Sequence, residues 1–181
     1  IAAPRGDGKT TVTRGVLVYA QLAGLAPCTV ITAKTGRDAL RLVKQVKDIY
    51  EFNDELCADF PEICIPIRAL NGSAQGGGSQ PVKGVRTRIE WGGTGDIVLP
   101  VVPGCQPGEA GSECIFFGRG MDGAIRGINH RDRRPQLVII DDPDSRASAW
   151  SGKQTDERVE LIDGDIAGLG DDENPAPRVM L

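Results

Sequence analysis

The opening residues Ile1-Ala2-Ala3-Pro4-Arg5-Gly6-Asp7-Gly8-Lys9-Thr10 have the types and spacing of a buried strand end running into a phosphate-binding loop. Gly6 and Gly8 let backbone N–H groups approach a polyphosphate, Lys9 reaches its terminal phosphates, and Thr10 opens a helix and offers its hydroxyl to Mg²⁺. The positive end of that helix then faces the anion. Nucleotide contacts are expected from Pro4, Arg5, Gly6, Asp7, Gly8, Lys9, Thr10 and Thr11. The usual spacing is G-x-x-x-x-G-K-[ST], and Ala3 stands where its first glycine would be. The plainer alternative is a glycine-rich turn that merely precedes a helix.

A second segment gives the loop its meaning. Leu137-Val138-Ile139-Ile140 is an apolar, β-branched run, the pattern of a strand buried on both faces of a parallel sheet. It ends in Asp141-Asp142-Pro143. Carboxylates at the carboxyl end of a central strand sit where open α/β sheets bind ligands. Asp141 is expected to hold Mg²⁺ together with Thr10, and Asp142 to orient or deprotonate an attacking water. Lys9 and Asp142 are thus the expected catalytic pair. Acidic residues often begin a turn after a strand, so this run is weak alone. Coupled to the loop, it points to a domain that hydrolyses ATP.

Arginines supply further candidates. Arg5, inside the loop, would reach a phosphate with its planar guanidinium, or else is solvated. Arg126, Arg131, Arg133 and Arg134 cluster upstream of the acidic strand. One of them, with Arg126 and Arg131 as the equal candidates, is expected to act across a subunit boundary as an arginine finger. Loop solvation or DNA contact is the competing account.

These residues need a scaffold, and the composition allows one. At 181 residues, 40% hydrophobic and 25% charged, the chain can bury one substantial core. A single domain over 1–181 is expected. Five cysteines, an odd number without a C-x-x-C pair, read as reduced thiols of a cytosolic protein rather than a zinc site. No apolar run approaches the roughly 20 residues of a membrane span, and no signal peptide is recognisable. The first residue is not Met and lies at a strand end, so a fragment cut within its first strand is expected. The net charge of −4 hides an asymmetry: residues 1–50 carry eight basic and three acidic side chains, and residues 141–181 four basic and eleven acidic. A general basic surface for nucleic acid is not what the composition shows.

The elements read as α/β. A helix is expected from Thr10 to about Leu22, with Val12, Val16, Leu17 and Ala20 inward and Gly24 after its end. Cys28 to Ala33 is the next strand. A second helix follows Lys34-Thr35-Gly36, with Ala39, Leu40, Val43, Val46, Ile49 and Tyr50 at helical spacing. Arg37, Arg41, Lys44 and Lys47 lie among them as a solvated face or as contacts to DNA phosphates. Residues 53–115, rich in proline and glycine, read as an insertion of β-ribbon and loops. Arg86–Trp91 and Asp96–Val102 flank Gly92-Gly93-Thr94-Gly95 as a hairpin. Cys114-Ile115-Phe116-Phe117-Gly118 returns to the core as a strand. Arg178 to Leu181 is expected to pair in parallel with Leu137 to Ile140.

The runs Gly118-Arg119-Gly120-Met121-Asp122-Gly123-Ala124-Ile125-Arg126-Gly127 and Arg134-Pro135-Gln136 through Pro143 resemble the large terminase subunit of tailed bacteriophages. The opening Pro4 to Thr10 is similar to that family's phosphate loop. The likeness spans residues 1 to about 160 and is sharpest at 3–10 and 118–143. It implies a RecA-like P-loop ATPase domain of the ASCE type, a mostly parallel sheet flanked by helices. It also implies a motor that drives viral double-stranded DNA into a procapsid, using ATP and Mg²⁺. The partners implied are the portal protein, a small terminase subunit and further copies in a ring, in the host cytoplasm and without a membrane. The family's hydrolytic residues carry over onto Lys9, Thr10, Asp141 and Asp142; many members have Glu where Asp142 stands. The family's metal-dependent nuclease domain is not expected within this chain. A helicase-like or repair P-loop ATPase and a small-molecule P-loop kinase are the rival readings. The β-ribbon reading of the insertion argues against the kinase.

Overall fold

The computed structural model describes residues 8–72, 81–82, 85–86, 88–92, 96–121, 132–143, 152–169 and 178–180. The fold is α/β, a mixed sheet flanked by helices. Helix α1 spans Lys9–Leu22, strand β1 Cys28–Ala33 and helix α2 Gly36–Phe52. Two short helices follow, α3 (Asp54–Asp59) and α4 (Pro61–Ala69). Strands β2 (Pro81–Val82) and β3 (Val85–Arg86) form a separate antiparallel pair. The main sheet adds β4 (Asp96–Val98), β5 (Ile115–Gly120), β6 (Leu137–Asp141) and β7 (Arg178–Met180). Helix α5 (Gly152–Glu160) continues as a wider π turn over Leu161–Ile166 and a tight turn over Ala167–Leu169.

The sheet order is β4-β5-β1-β6-β7. Strands β5, β1, β6 and β7 run parallel and only β4 is antiparallel. The expected pairing of the acidic strand with the C-terminal segment is present, with Val138 opposite Arg178 and Ile140 opposite Met180. Alternation sorts the apolar side chains onto two faces. Ile31, Phe116 and Ile139 pack with α1, α2 and α4, whereas Val30, Phe117, Val138 and Ile140 pack with Ile166 and Leu169. The run 137–140 is therefore apolar throughout because both faces of β6 are covered.

Close approach of α2 to the sheet depends on Gly118. A Cβ there would lie 3.0 Å from the Ala39 carbonyl carbon and 3.1 Å from Val43 Cγ2. Thr35 caps α2, its hydroxyl accepting the Asp38 N–H at 3.2 Å and donating to Asp38 Oδ2 at 2.7 Å. At the far end of the core, Gln21 is fully buried. Its Nε2 donates to the Ile115 carbonyl at 3.3 Å, and its Oε1 accepts from the Tyr50 hydroxyl at 3.0 Å. That network locks α1 and α2 to β5. Tyr50, Trp91 and Phe116 pack around it with ring centroids 6.3–6.4 Å apart.

Several sequence expectations need correction. The inward face of α1 is Thr13, Leu17, Ala20 and Gln21, while Val12 and Val16 are exposed. Apolar character misleads because Thr13 and Gln21 satisfy their polar atoms internally, Thr13 Oγ1 by donating to the Lys9 carbonyl at 3.0 Å. On α2, Leu40 lies partly open to solvent and Leu42 takes the core position. Residues 54–69 are helical rather than ribbon. Asn53 caps α3 by accepting the Leu56 N–H, and Pro61 occupies the first turn of α4, where its missing N–H costs nothing. Of the hairpin expected around 92–95, the described residues show one pairing between the arms. Its arms are joined by the Glu90–Val98 bridge, and β4 adds to the edge of the main sheet.

Candidate functional site

The carboxyl ends of β1 and β6 and the amino end of α1 meet at one edge of the sheet. Ala33 and Asp141 are opposite in register. Gly8 stands at the N-cap of α1 with φ 71°, a left-handed conformation that glycine adopts without a Cβ penalty. No side chain caps this helix, and its first turn carries no acidic residue. Arg14 reinforces the first turn, its Nε donating to the Thr10 carbonyl at 3.1 Å and its Nη2 to Thr11 Oγ1 at 3.0 Å.

The decisive contact crosses most of the sequence. Thr10 Oγ1 donates to Asp141 Oδ1 at 3.3 Å. Burial raises the Asp141 carboxyl above its ordinary pKa, the Thr10 hydrogen bond opposes that, and the neighbouring Asp142 charge raises it further. Arg41 and Lys9 pull it back down. Asp142 has φ 42°, so the strand ends there in a left-handed turn that Asp tolerates better than most residues. A pocket between α1, α2, β1 and β6 is lined by the polar Thr10, Arg14 and Asp141 and by the apolar Leu17, Leu42 and Ile139.

Oxygen ligands of an octahedral Mg²⁺ at about 2.0–2.1 Å stand roughly 3 Å from their neighbours. The Thr10 and Asp141 oxygens fit two adjacent positions. Among the described residues no group of three or more His, Cys, Asp or Glu is placed to hold a metal ion by itself. A Mg²⁺ here would take its remaining ligands from phosphate oxygens and water.

Gly8, Lys9, Thr10, Thr11, Asp141 and Asp142 thus lie at one edge or next to it in sequence. Pro4, Arg5, Gly6 and Asp7 lie outside the described residues, as do Arg126 and Arg131. Strand β5 ends at the carboxyl edge, but Arg133 Nη1 donates to the Glu113 carbonyl at 2.7 Å, by the opposite, amino edge where β5 and β6 begin. Arg14, which lines the pocket and braces the first turn of α1, is a residue that the sequence reading misses. Arg14's place four residues after Thr10 on one helix face is the available signal.

The five cysteines are free thiols. No described helix is long and apolar enough to cross a membrane. Comparison of the chain with protein-family models, curated proteins and solved structures gives no match.

Proposed function

We propose that this chain is a RecA-like P-loop ATPase domain and the motor of a phage large terminase subunit. In that role it couples ATP hydrolysis to movement of viral double-stranded DNA into a procapsid in the host cytoplasm. The hydrogen bond between Thr10 and Asp141 carries the ATPase reading, because it joins the two segments whose combination the chemistry requires. The terminase reading rests on the resemblance at residues 3–10 and 118–143. The portal protein, a small terminase subunit and neighbouring copies in a ring are its proposed partners.

Each residue has a task in this reading. The left-handed turn at Gly8 starts α1 with its uncapped amino end toward the phosphates. Lys9 neutralises their charge, and Arg14 holds the first turn rigid by its two bonds. Thr10 and Asp141 would hold Mg²⁺, which when bound bridges phosphate oxygens and offsets the charge that develops there. Asp142, next along the chain and exposed, orients water. Arg126 or Arg131 would complete a neighbouring subunit's site.

A small-molecule kinase is the second reading. Helices α3 and α4, in place of the expected β-ribbon, remove part of the argument against it. One assay separates the two: phosphate release from Mg-ATP with no acceptor present. Release that is abolished by Lys9→Ala supports the ATPase. Absence of release from the assembled protein with duplex DNA present overturns it.

A further inference from the structure

The outer face of α2 and Lys34, which precedes its cap Thr35, carry a row of cations. Lys34, Arg37 and Lys44 are exposed, and Arg41 between them is exposed over 70% of its side chain. Arg37, Arg41 and Lys44 fall at i, i+4 and i+7, a stripe about 10 Å long at 1.5 Å rise per residue. Lys34, Arg37 and Lys44 make no ion pair among the described residues, and Arg41 reaches Asp38 only at 3.9 Å. Like charges at this spacing repel along a helix. Arg37 also sits in the first turn, where the helix dipole disfavours a cation. The free row is thus unfavourable, and a polyanion laid along it relieves the repulsion. Lys47 does not belong to it: its Nζ donates to the Trp91 carbonyl at 2.9 Å and lies 5.2 Å from the centre of the Trp91 ring.

We infer that Lys34, Arg37, Arg41 and Lys44 bind the phosphate backbone of duplex nucleic acid without reading its sequence. The cations follow one another at about 6 and 4.5 Å along the axis, close enough for their long side chains to reach one phosphate strand together. No aromatic side chain lies between residues 34 and 44 to stack on unpaired bases, which favours a duplex over a single strand. The surrounding protein is acidic, so the attraction is local: the net charge is −4 while residues 1–50 carry eight basic and three acidic side chains. The row starts at the edge where Ala33 faces Asp141, and the Arg41 charge is felt by Asp141. One helix therefore links backbone contact to the nucleotide edge. This inference rests on the DNA-motor reading for its setting and adds the surface.

The test is anisotropy of a labelled duplex of about 30 base pairs, titrated with the chain at several salt concentrations. Lys34, Arg37 and Lys44 are replaced together by Gln; Arg41 is left because its charge reaches Asp141. The expected result is at least a tenfold loss of affinity and a fall of about 2–3 in the slope of log K against log salt, close to 0.9 per lost phosphate contact. Lys34→Arg with Lys44→Arg should retain binding. An unchanged slope in the triple variant, or a wild-type chain that ignores duplex DNA at low salt, overturns the inference. ATP turnover in the same samples tests the setting separately. Turnover abolished by Lys9→Ala, with an unchanged slope in the triple variant, sinks the surface alone. Turnover indifferent to Lys9→Ala sinks the ATPase reading whatever the DNA does.

Discussion

Thr10 and Asp141, 131 positions apart in sequence, share a hydrogen bond of 3.3 Å at the carboxyl edge of the sheet. If both belong to one metal-binding unit, their effects on turnover cannot add. Thr10→Val and Asp141→Asn should each lower ATP turnover by about 10²–10³-fold, the loss typical of removing one preorganised polar group. The double variant should be scarcely slower than the worse single one, as expected of residues acting together. Phosphate release measured across this cycle decides the point. Losses that multiply would mean that the two side chains act independently and the contact is incidental.

In the proposed ATPase, Lys9 and Asp142 would divide binding from chemistry. Lys9→Ala should abolish turnover with the fold intact, measured by phosphate release and circular dichroism. Asp142→Asn should spare nucleotide binding while removing turnover. Asn suits this test because it also accepts the left-handed backbone that Asp142 adopts at φ 42°. A β-branched substitution would mix backbone strain with lost chemistry. Unchanged turnover in either variant contradicts the assignment.

Much of this edge is legible in the amino-acid sequence. Strand β1 reads from Cys28 to Ala33 because both its faces are buried, and β6 from its unbroken apolar run. Glycine and threonine at positions 8 and 10 have specific backbone and hydroxyl tasks, so their types mark them. The inner face of α1 is not legible, since Thr13 and Gln21 are polar by type yet buried with their bonds made internally. Residues 54–69 mislead for a related reason. Proline signals a break, but at the first turn of α4 Pro61 begins a helix, and Pro66 sits in one only nine residues long. Lys47 has the spacing of a solvated row, but its partner Trp91 is 44 positions away, a distance no local pattern spans.

The Gln21–Tyr50 bond should prove structural and not catalytic. Tyr50→Phe keeps the ring packing with Trp91 and Phe116 but leaves Gln21 Oε1 without its donor in a fully buried site. An unsatisfied buried acceptor costs about 1–3 kcal/mol. For a domain of this size, each kcal/mol moves the midpoint by about 2–4 °C. Thermal melting should show that drop, while turnover per folded molecule stays within about twofold, well short of the losses expected at the site itself. A large fall in turnover without a stability change would place this network in the catalytic machinery.

Alkaline pH should destabilise the fold through its buried thiols. Burial pushes Cys28 up to about 11 and Cys64 and Cys114 up to about 12, against 9.0 for an exposed thiol. The nearby Arg133 charge opposes the shift at Cys28 and Cys114 without cancelling it. In each case the folded pKa lies above the unfolded one, so the folded chain holds protons that the unfolded chain releases. Stability then falls as pH rises wherever the native state binds more protons. The thiol contribution is fully present below pH 9 and is lost as pH climbs toward 11–12. Melting temperatures across that range should therefore decline, and the decline should be shallower in a Cys28→Ala, Cys64→Ala variant at equal ionic strength. Native thiol labelling gives an independent readout. Cys57 and Cys105 are half-buried and should react first, with Cys28, Cys64 and Cys114 reacting at the rate of unfolding. If all five label at one rate in the native protein, the three buried thiols are open to solvent and the alkaline slope has another source.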